Sequence, residues 1–337
     1  MGVRASCPQV TFNDNRTGAA KIPTMRKLCV ILLLMIAAVS VVAQAQEKSG
    51  IVRLDSALDD VLSPGAKLEK LAGNFKHLEG PVWVRKGGFL LLSDLDSKVI
   101  HKWDPKDGKV SIYPAGIPEP ESNGITVDRQ GRIVYCARGE GQVVRLENDG
   151  RRTVLVRQFE GKALNRPNDL VYKSDGSLYF TDPTDGSDEA AVNHVFRLKG
   201  GKLQLLSAKN VVHPNGLAFT PDEKHLYIVD SRDTKTLFRF DVQPDGSIAN
   251  GRAFIDMRSE KAQGGPDGMK VDQKGNVYAP GPSGLWIISP EGKHLGTVPT
   301  PEIFANLAFG DADGKSLYLA GHTTIYRIRV KVPGIRP

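Results

Sequence analysis

A short phrase recurs six times in this chain, and each copy opens on one oxygen-bearing side chain. The copies read Glu79-Gly-Pro-Val-Trp, Asn123-Gly-Ile-Thr-Val, Asn168-Asp-Leu-Val-Tyr, Asn215-Gly-Leu-Ala-Phe, Asp267-Gly-Met-Lys-Val and Asn306-Leu-Ala-Phe-Gly. Eleven or twelve residues on, each copy runs into a second strand-like segment, at Leu91, Val134, Tyr179, Tyr227, Tyr278 and Tyr318. These anchors fall 43, 45, 48, 51 and 40 residues apart. A strand-built repeat of this length is the signature of a propeller, one blade per repeat. The expected fold is therefore all-β, a six-bladed β-propeller with a central metal-binding channel. Equivalent positions of blades around one axis converge on that axis, so a Glu, an Asp and four Asn would meet at one mouth of the channel.

The turns agree with this reading. Asp107-Gly108, Asp149-Gly150, Asp175-Gly176, Asp245-Gly246 and Asp313-Gly314 lie between strand-like runs, and Asp-Gly is a strong hairpin signal. The runs are rich in Val, Ile, Leu, Tyr and Phe, which suit a pleated buried surface. No amphipathic helical pattern longer than about ten residues follows the N-terminal region.

That region reads differently. Met25-Arg26-Lys27 is basic, Leu28 to Val42 is almost wholly apolar, and Ala43-Gln44-Ala45 offers a small-x-small cleavage site. This is the layout of a secretory signal peptide, with an apolar run short of the roughly 20 residues a membrane span needs. Residues 1–45 are read as a signal peptide with an N-terminal extension, Met25 being an alternative start. Residues 46–70 form a lead-in and 71–337 the propeller. The expected location is secreted or periplasmic, with no stable membrane insertion after cleavage.

Charge and cysteine content then change meaning. Residues 1–45 hold five basic residues against Asp14, so the remaining chain carries +3 rather than +7. Its basic residues are interleaved with acids, which argues against a nucleic-acid partner. Only Cys136 remains, in the strand pattern Ile133-Val-Tyr-Cys-Ala, and is read as a small buried hydrophobe.

The six phrase residues carry the chemistry. Carboxylate and amide oxygens, with no Cys and no recurrent His, suit Ca²⁺, Mg²⁺ or Mn²⁺ better than a structural Zn²⁺. Asn-Gly and Asp-Gly also make tight turns. Glu79, a poor turn residue, and Asn168, followed by Asp169, fit that plainer reading badly. His77 and His213 each stand two residues before a phrase and are read as structural. Trp83, Trp103 and Trp286 are read as blade packing, and Asp182, Asp185 and Asp188 as a solvated acidic turn rather than a second calcium loop. There is no Gly-x-Ser-x-Gly elbow, His-Glu-x-x-His, Cys-x-x-Cys or P-loop.

Glu79-Gly-Pro-Val-Trp, Arg166-Pro-Asn-Asp, Pro214-Asn-Gly-Leu-Ala-Phe-Thr-Pro-Asp, Gly265-Pro-Asp-Gly-Met and Asn306-Leu-Ala-Phe-Gly occur in this order. Together they resemble the SMP-30/gluconolactonase/luciferin-regenerating-enzyme family over roughly residues 71–330. The resemblance implies a six-bladed propeller with one divalent cation in its channel, held by Glu79, Asn168, Asn215 and Asp267. It implies Asp267 as the catalytic base, and Arg166 and Asn168 as substrate contacts. Asn123 joins these contacts as a hydrogen-bond donor to substrate. The expected enzyme is a monomeric hydrolase opening a small sugar-derived lactone, with Ca first among cations and Mg, Mn or Zn as alternatives. Two other readings stand beside it: a phosphotriesterase- or arylesterase-like hydrolase at the same ion, and a non-catalytic ligand-binding propeller with a structural cation. The loops around Pro118 to Glu121 and Asp182 to Asp188 match no known substrate.

Overall fold

The computed structural model describes residues 50–113, 121–184, 192–232, 234–259 and 262–335. The signal-peptide reading, Pro118 to Pro120, Asp185 and Asp188 lie outside these residues. Six antiparallel sheets account for nearly all regular structure, one per phrase. Blade one comprises β3 (Leu78–Val84), β4 (Phe89–Asp94), β5 (Val99–Trp103) and β6 (Val110–Tyr113). Blade two comprises β7 (Ser122–Val127), β8 (Ile133–Ala137), β9 (Gln142–Leu146) and β10 (Arg152–Val156). A two-stranded hairpin, β11 (Gln158–Phe159) and β12 (Lys162–Ala163), follows it. Blade three comprises β13 (Leu170–Tyr172), β14 (Leu178–Asp182), β15 (His194–Lys199) and β16 (Lys202–Leu205). Blade four comprises β17 (Pro214–Phe219), β18 (His225–Asp230), β19 (Thr236–Val242) and β20 (Ile248–Asp256). Blade five comprises β21 (Lys270–Val271), β22 (Val277–Gly281), β23 (Gly284–Ile288) and β24 (His294–Pro299), with β1 (Val52–Arg53) added at its outer edge.

Blade six closes the ring from both ends of the chain. Its β25 (Phe304–Gly310), β26 (Ser316–Gly321) and β27 (Thr324–Arg329) are completed by β2 (Glu69–Gly73), which pairs with β27. The lead-in segment also forms a four-residue helix, α1 (Leu58–Val61); its Leu58 and Val61, and Leu62 just after it, are buried against blades five and six.

The turn residues behave as their chemistry dictates. In all five Asp-Gly turns the aspartate Oδ1 accepts the backbone N–H two residues on, and the glycine has positive φ. The hydrophobic core lies largely between neighbouring sheets. Val82, Leu91, Ile125, Tyr135 and Val144 fill the space between blades one and two; Tyr179, Leu217, Phe219 and Phe238 do so between blades three and four. Trp83 stacks on Tyr318 at 5.4 Å and 5°, joining blade one to blade six. Cys136 is buried in β8, and burial pushes its thiol well above the ordinary range, so it is a packing residue.

Candidate active site at the channel mouth

The phrase residues stand at the starts of the innermost strands. Glu79, Asn123 and Asn215 are the second residues of β3, β7 and β17, and Asn306 is the third of β25. Asn168 and Asp267 come just ahead of β13 and β21. They are not turns. In blades one, two, four and six the pairing register slips at this point, between Glu79 and Val82, Ser122 and Ile125, Pro214 and Leu217, and Phe304 and Asn306. Such bulges re-aim side chains at sheet ends.

The glycine after the phrase residue has a steric cause. A Cβ on Gly80 would lie 2.1 Å from the carbonyl oxygen of Asn123, and one on Gly216 2.2 Å from that of Asp267. Gly124 N donates to Asn168 O at 2.8 Å, Gly216 N to Asp267 O at 3.1 Å and Gly268 N to Ala305 O at 2.8 Å. Each of these phrase backbones is thus seated against the next phrase around the axis.

A second repeated device fixes the approach to the phrase. Asp94, Asp182 and Asp230 end the second strands of blades one, three and four. Asp94 accepts the N–H groups of Lys76 and His77, and Asp230 those of Val212 and His213. Asp182 accepts Asn165 N at 2.9 Å and is also bonded by the Arg166 N–H. In every case the donors are the residues three and two before the phrase residue. Ser93 and Thr181, the neighbours of two of these aspartates, donate hydroxyl bonds to the carbonyls of Asn123 and Asn215 in the following blade. The expected solvated turn at Asp182 is therefore corrected. That residue is 0% exposed and belongs to the scaffold that carries Arg166 and Asn168.

The ring brings the acidic pair together. Burial pushes the Glu79 carboxyl well above its ordinary range, and the negative charge of Asp267 adds to this. Asp267 is pushed up to about 7 by burial and by the charge of Asp169, partly offset by a hydrogen bond from Asn215 and by the Arg138 guanidinium. Buried carboxylates raised in this way carry more negative charge than the nearby Arg138 neutralises. The side-chain Oδ1 of Asn215 is buried without a hydrogen-bond partner, a costly state for an amide oxygen unless something else binds it. Glu79 is buried, while Asn168, Asn215 and Asp267 are half-buried. An all-oxygen set with an orphaned carbonyl and two mutually repelling carboxylates fits a hard divalent cation. Among the described residues no cluster of three or more His, Cys, Asp or Glu is arranged to hold a metal. A cation here would therefore depend on the amide oxygens.

The other expected residues divide. Arg166 Nη2 meets Glu121 Oε1 at 2.6 Å at the mouth. Asn123 is 2% exposed, with its carbonyl held by Ser93, which leaves almost no surface for a substrate. Asn306 turns to other work. Its Nδ2 reaches across the channel to Asp169 Oδ2 at 3.3 Å, and its Oδ1 accepts Leu307 N and lies 3.4 Å from Lys270 Nζ. His77 packs on His322 at 4.7 Å between ring centroids, and His213 is buried with its backbone N–H on Asp230.

Two functional residues escaped the sequence reading. Asp169 takes the place that glycine has in four other copies, is buried, and raises both Glu79 and Asp267. Arg138 follows β8, whose last residue pairs with Ser122 beside Asn123. Its charge acts on Glu79 and Asp267, and it is held down by burial and by the charge of Arg166. The departure from Gly at 169 was a visible signal. Arg138 had none, because the equivalent positions of other blades, such as Leu95, Pro183 and Ser231, hold unrelated residue types. A separate, mainly apolar cavity of about 240 Å³ lies at the other end of the channel, lined by residues such as Val82, Val127, Phe219 and Ile335, and none of the ring residues reaches it.

A six-bladed propeller with an oxygen-lined ring and two arginines at one mouth defines a class of small-molecule enzymes and binders. Residues 78–323 match the SMP-30/Gluconolactonase/LRE-like region, and the chain belongs to that family. It is 34% identical over 312 residues to the gluconolactonase of Zymomonas mobilis, covering 84% of this chain and 87% of that one. It superposes on a gluconolactonase from Xanthomonas campestris with a TM-score of 0.74 and 31% identity, over 83% of this chain and 95% of the other. A calcium-binding regucalcin from Agrobacterium tumefaciens shares the fold at 18% identity and a TM-score of 0.69, over 80% and 96% of the two chains.

Proposed function

We propose that this protein is a lactone hydrolase that opens a sugar-derived lactone to its hydroxy acid with the help of a divalent cation. The observation carrying the reading is the ring itself: Glu79, Asp267 and the orphaned Asn215 oxygen gathered at a partly open channel mouth. Glu79, Asn168, Asn215 and Asp267 would hold the cation, Ca²⁺ first among candidates. A cation so held supplies Lewis-acid polarisation of a carbonyl and makes water a better nucleophile near neutral pH. Asp267, half-buried at the mouth, accepts the proton of the attacking water and returns it to the leaving alkoxide. Asp169, also buried, adds negative charge near Asp267. Arg166 and Arg138 hold substrate oxygens and the carboxylate that forms. Two half-buried arginines at the mouth would be surplus to a purely structural cation, which favours catalysis over a binding role.

The apolar stretch Leu28 to Val42 and the Ala43-Gln44-Ala45 site support export, and sequencing of the secreted chain should then begin at Gln46. Metal analysis of the purified protein, followed by a lactone panel with each ion restored, tests the main reading. Asp267→Asn with metal retained should lose at least about 100-fold in turnover, the usual weight of a general base. Full activity in that variant would falsify the role given to Asp267.

A further inference from the structure

A polar crevice of about 400 Å³ opens beside the ring, lined by Gly265, Pro280, Ser283, Thr300, Glu302 and Ile303, among others. One wall is the 262–265 segment that leads directly into Asp267. The other is the 300–304 segment that leads into Asn306. The two walls therefore run on into the phrases of blades five and six.

Its origin lies in the repeat. Blades one, three and four place Asp94, Asp182 or Asp230 at the end of the second strand, and these side chains hold the lead-in loop. Blade five has Gly281 at that point and blade six Gly321. A Cβ on Gly281 would meet Trp286 Cδ1 at 2.5 Å and Met257 Cε at 2.7 Å, so a side chain there would require both neighbours to shift. The polar side chains that line it are Gln263, Ser283, Thr300 and Glu302. Glu302 is fixed: its Oε1 accepts Tyr326 OH at 3.1 Å, and its Oε2 accepts Thr323 N and Oγ1, both at 2.9 Å. A pinned carboxylate with spare lone pairs accepts hydroxyl donors and repels anions. Pro280 and Pro301 also line it, and a proline ring suits the C–H face of a sugar. The volume is at the lower end of the ~300–1,000 Å³ range of small-molecule sites.

We infer that this crevice is a subsite for a neutral sugar ring, and that the preferred substrate is an aldonolactone carrying a glycosyl unit. The second half of this inference rests on the lactone-hydrolase reading. The test compares cellobionolactone with gluconolactone in the wild-type protein, Thr300→Trp and Ile303→Trp. A tenfold or greater kcat/KM advantage for the disaccharide lactone is expected in the wild type. Each tryptophan should erase that advantage and leave gluconolactone kinetics unchanged. Equal kcat/KM for the two lactones in the wild type, or tryptophan variants that slow both alike, overturns the substrate preference. A binding arm separates this from failure of the hydrolase reading. Methyl β-glucoside, titrated by calorimetry without turnover, should bind the wild type and not the two folded variants. Absence of wild-type binding, or binding unchanged by both tryptophans, removes the subsite whatever the lactones do.

Discussion

Asp182 shows what one residue can cost and give. It is fully buried, one carboxylate oxygen lacks a partner, and its pKa is pushed up to about 7 by burial, against 3.8 ordinarily. Asp94, in the same place in blade one, is also buried, but N–H bonds from Lys76, Ser97 and His77 more than offset that, and its carboxyl lies below the ordinary range. The sign for Asp182 follows. Between about pH 4 and pH 7 the folded protein holds a proton that the unfolded chain has released, so stability falls as pH rises through this window and levels off above it. At roughly 1.4 kcal/mol per unit, the full effect is at most about 4 kcal/mol. Urea unfolding of wild type and Asp182→Asn at pH 4 and pH 8 should show the difference moving in the variant's favour by about 2–4 kcal/mol. A difference that does not change with pH would show that Asp182 ionises normally. Nothing in the sequence marked Asp182 as buried, because Asp182-Pro-Thr-Asp-Gly-Ser-Asp has the composition of an exposed turn.

At the scale of the strand, the phrase does two jobs that the sequence presents as one. The first residue supplies an oxygen to the channel. The second, usually glycine, lets one blade lie against the next. Gly216→Ala isolates the second job, since Gly216 has no positive φ to confuse the result and the obstacle is the backbone oxygen of Asp267. Overpacking of this kind costs about 1–3 kcal/mol. The variant should lose that much in denaturant unfolding and, because it displaces Asp267, lose activity beyond what its folded fraction explains. Wild-type stability in Gly216→Ala would mean the blades can part without cost. The phrase positions were legible from spacing alone, and so were the Asp-Gly turns. The bulges were not, because a register slip leaves no mark in composition. Nor could spacing say that Asn306 faces Asp169 and Lys270 while Asn215 keeps a vacant oxygen, since one residue type in one phase serves both.

The whole molecule depends on closing a ring from distant ends of the chain. Without β2, strand β27 would be an open edge, with unpaired backbone groups that invite association. A chain begun at Ala66 keeps β2 but loses Leu58, Val61 and Leu62, each worth about 1.5–3 kcal/mol when buried. It should fold with a clearly lowered midpoint. A chain begun at Lys76 also loses β2 and should aggregate or elute as oligomers on gel filtration. Monomeric, cooperative unfolding of that shorter chain would refute the closure role of β2. The sequence by itself determined the number of blades, their phase and the oxygen chemistry of the axis, because these follow from a period and from residue types. Only the tertiary structure decided which oxygens are left unpaired, that Arg138 and Asp169 act on the acidic pair, and where a crevice opens between blades five and six. Those outcomes arise from contacts between residues as far apart as Asp169 and Asn306, which neither periodicity nor local propensity encodes.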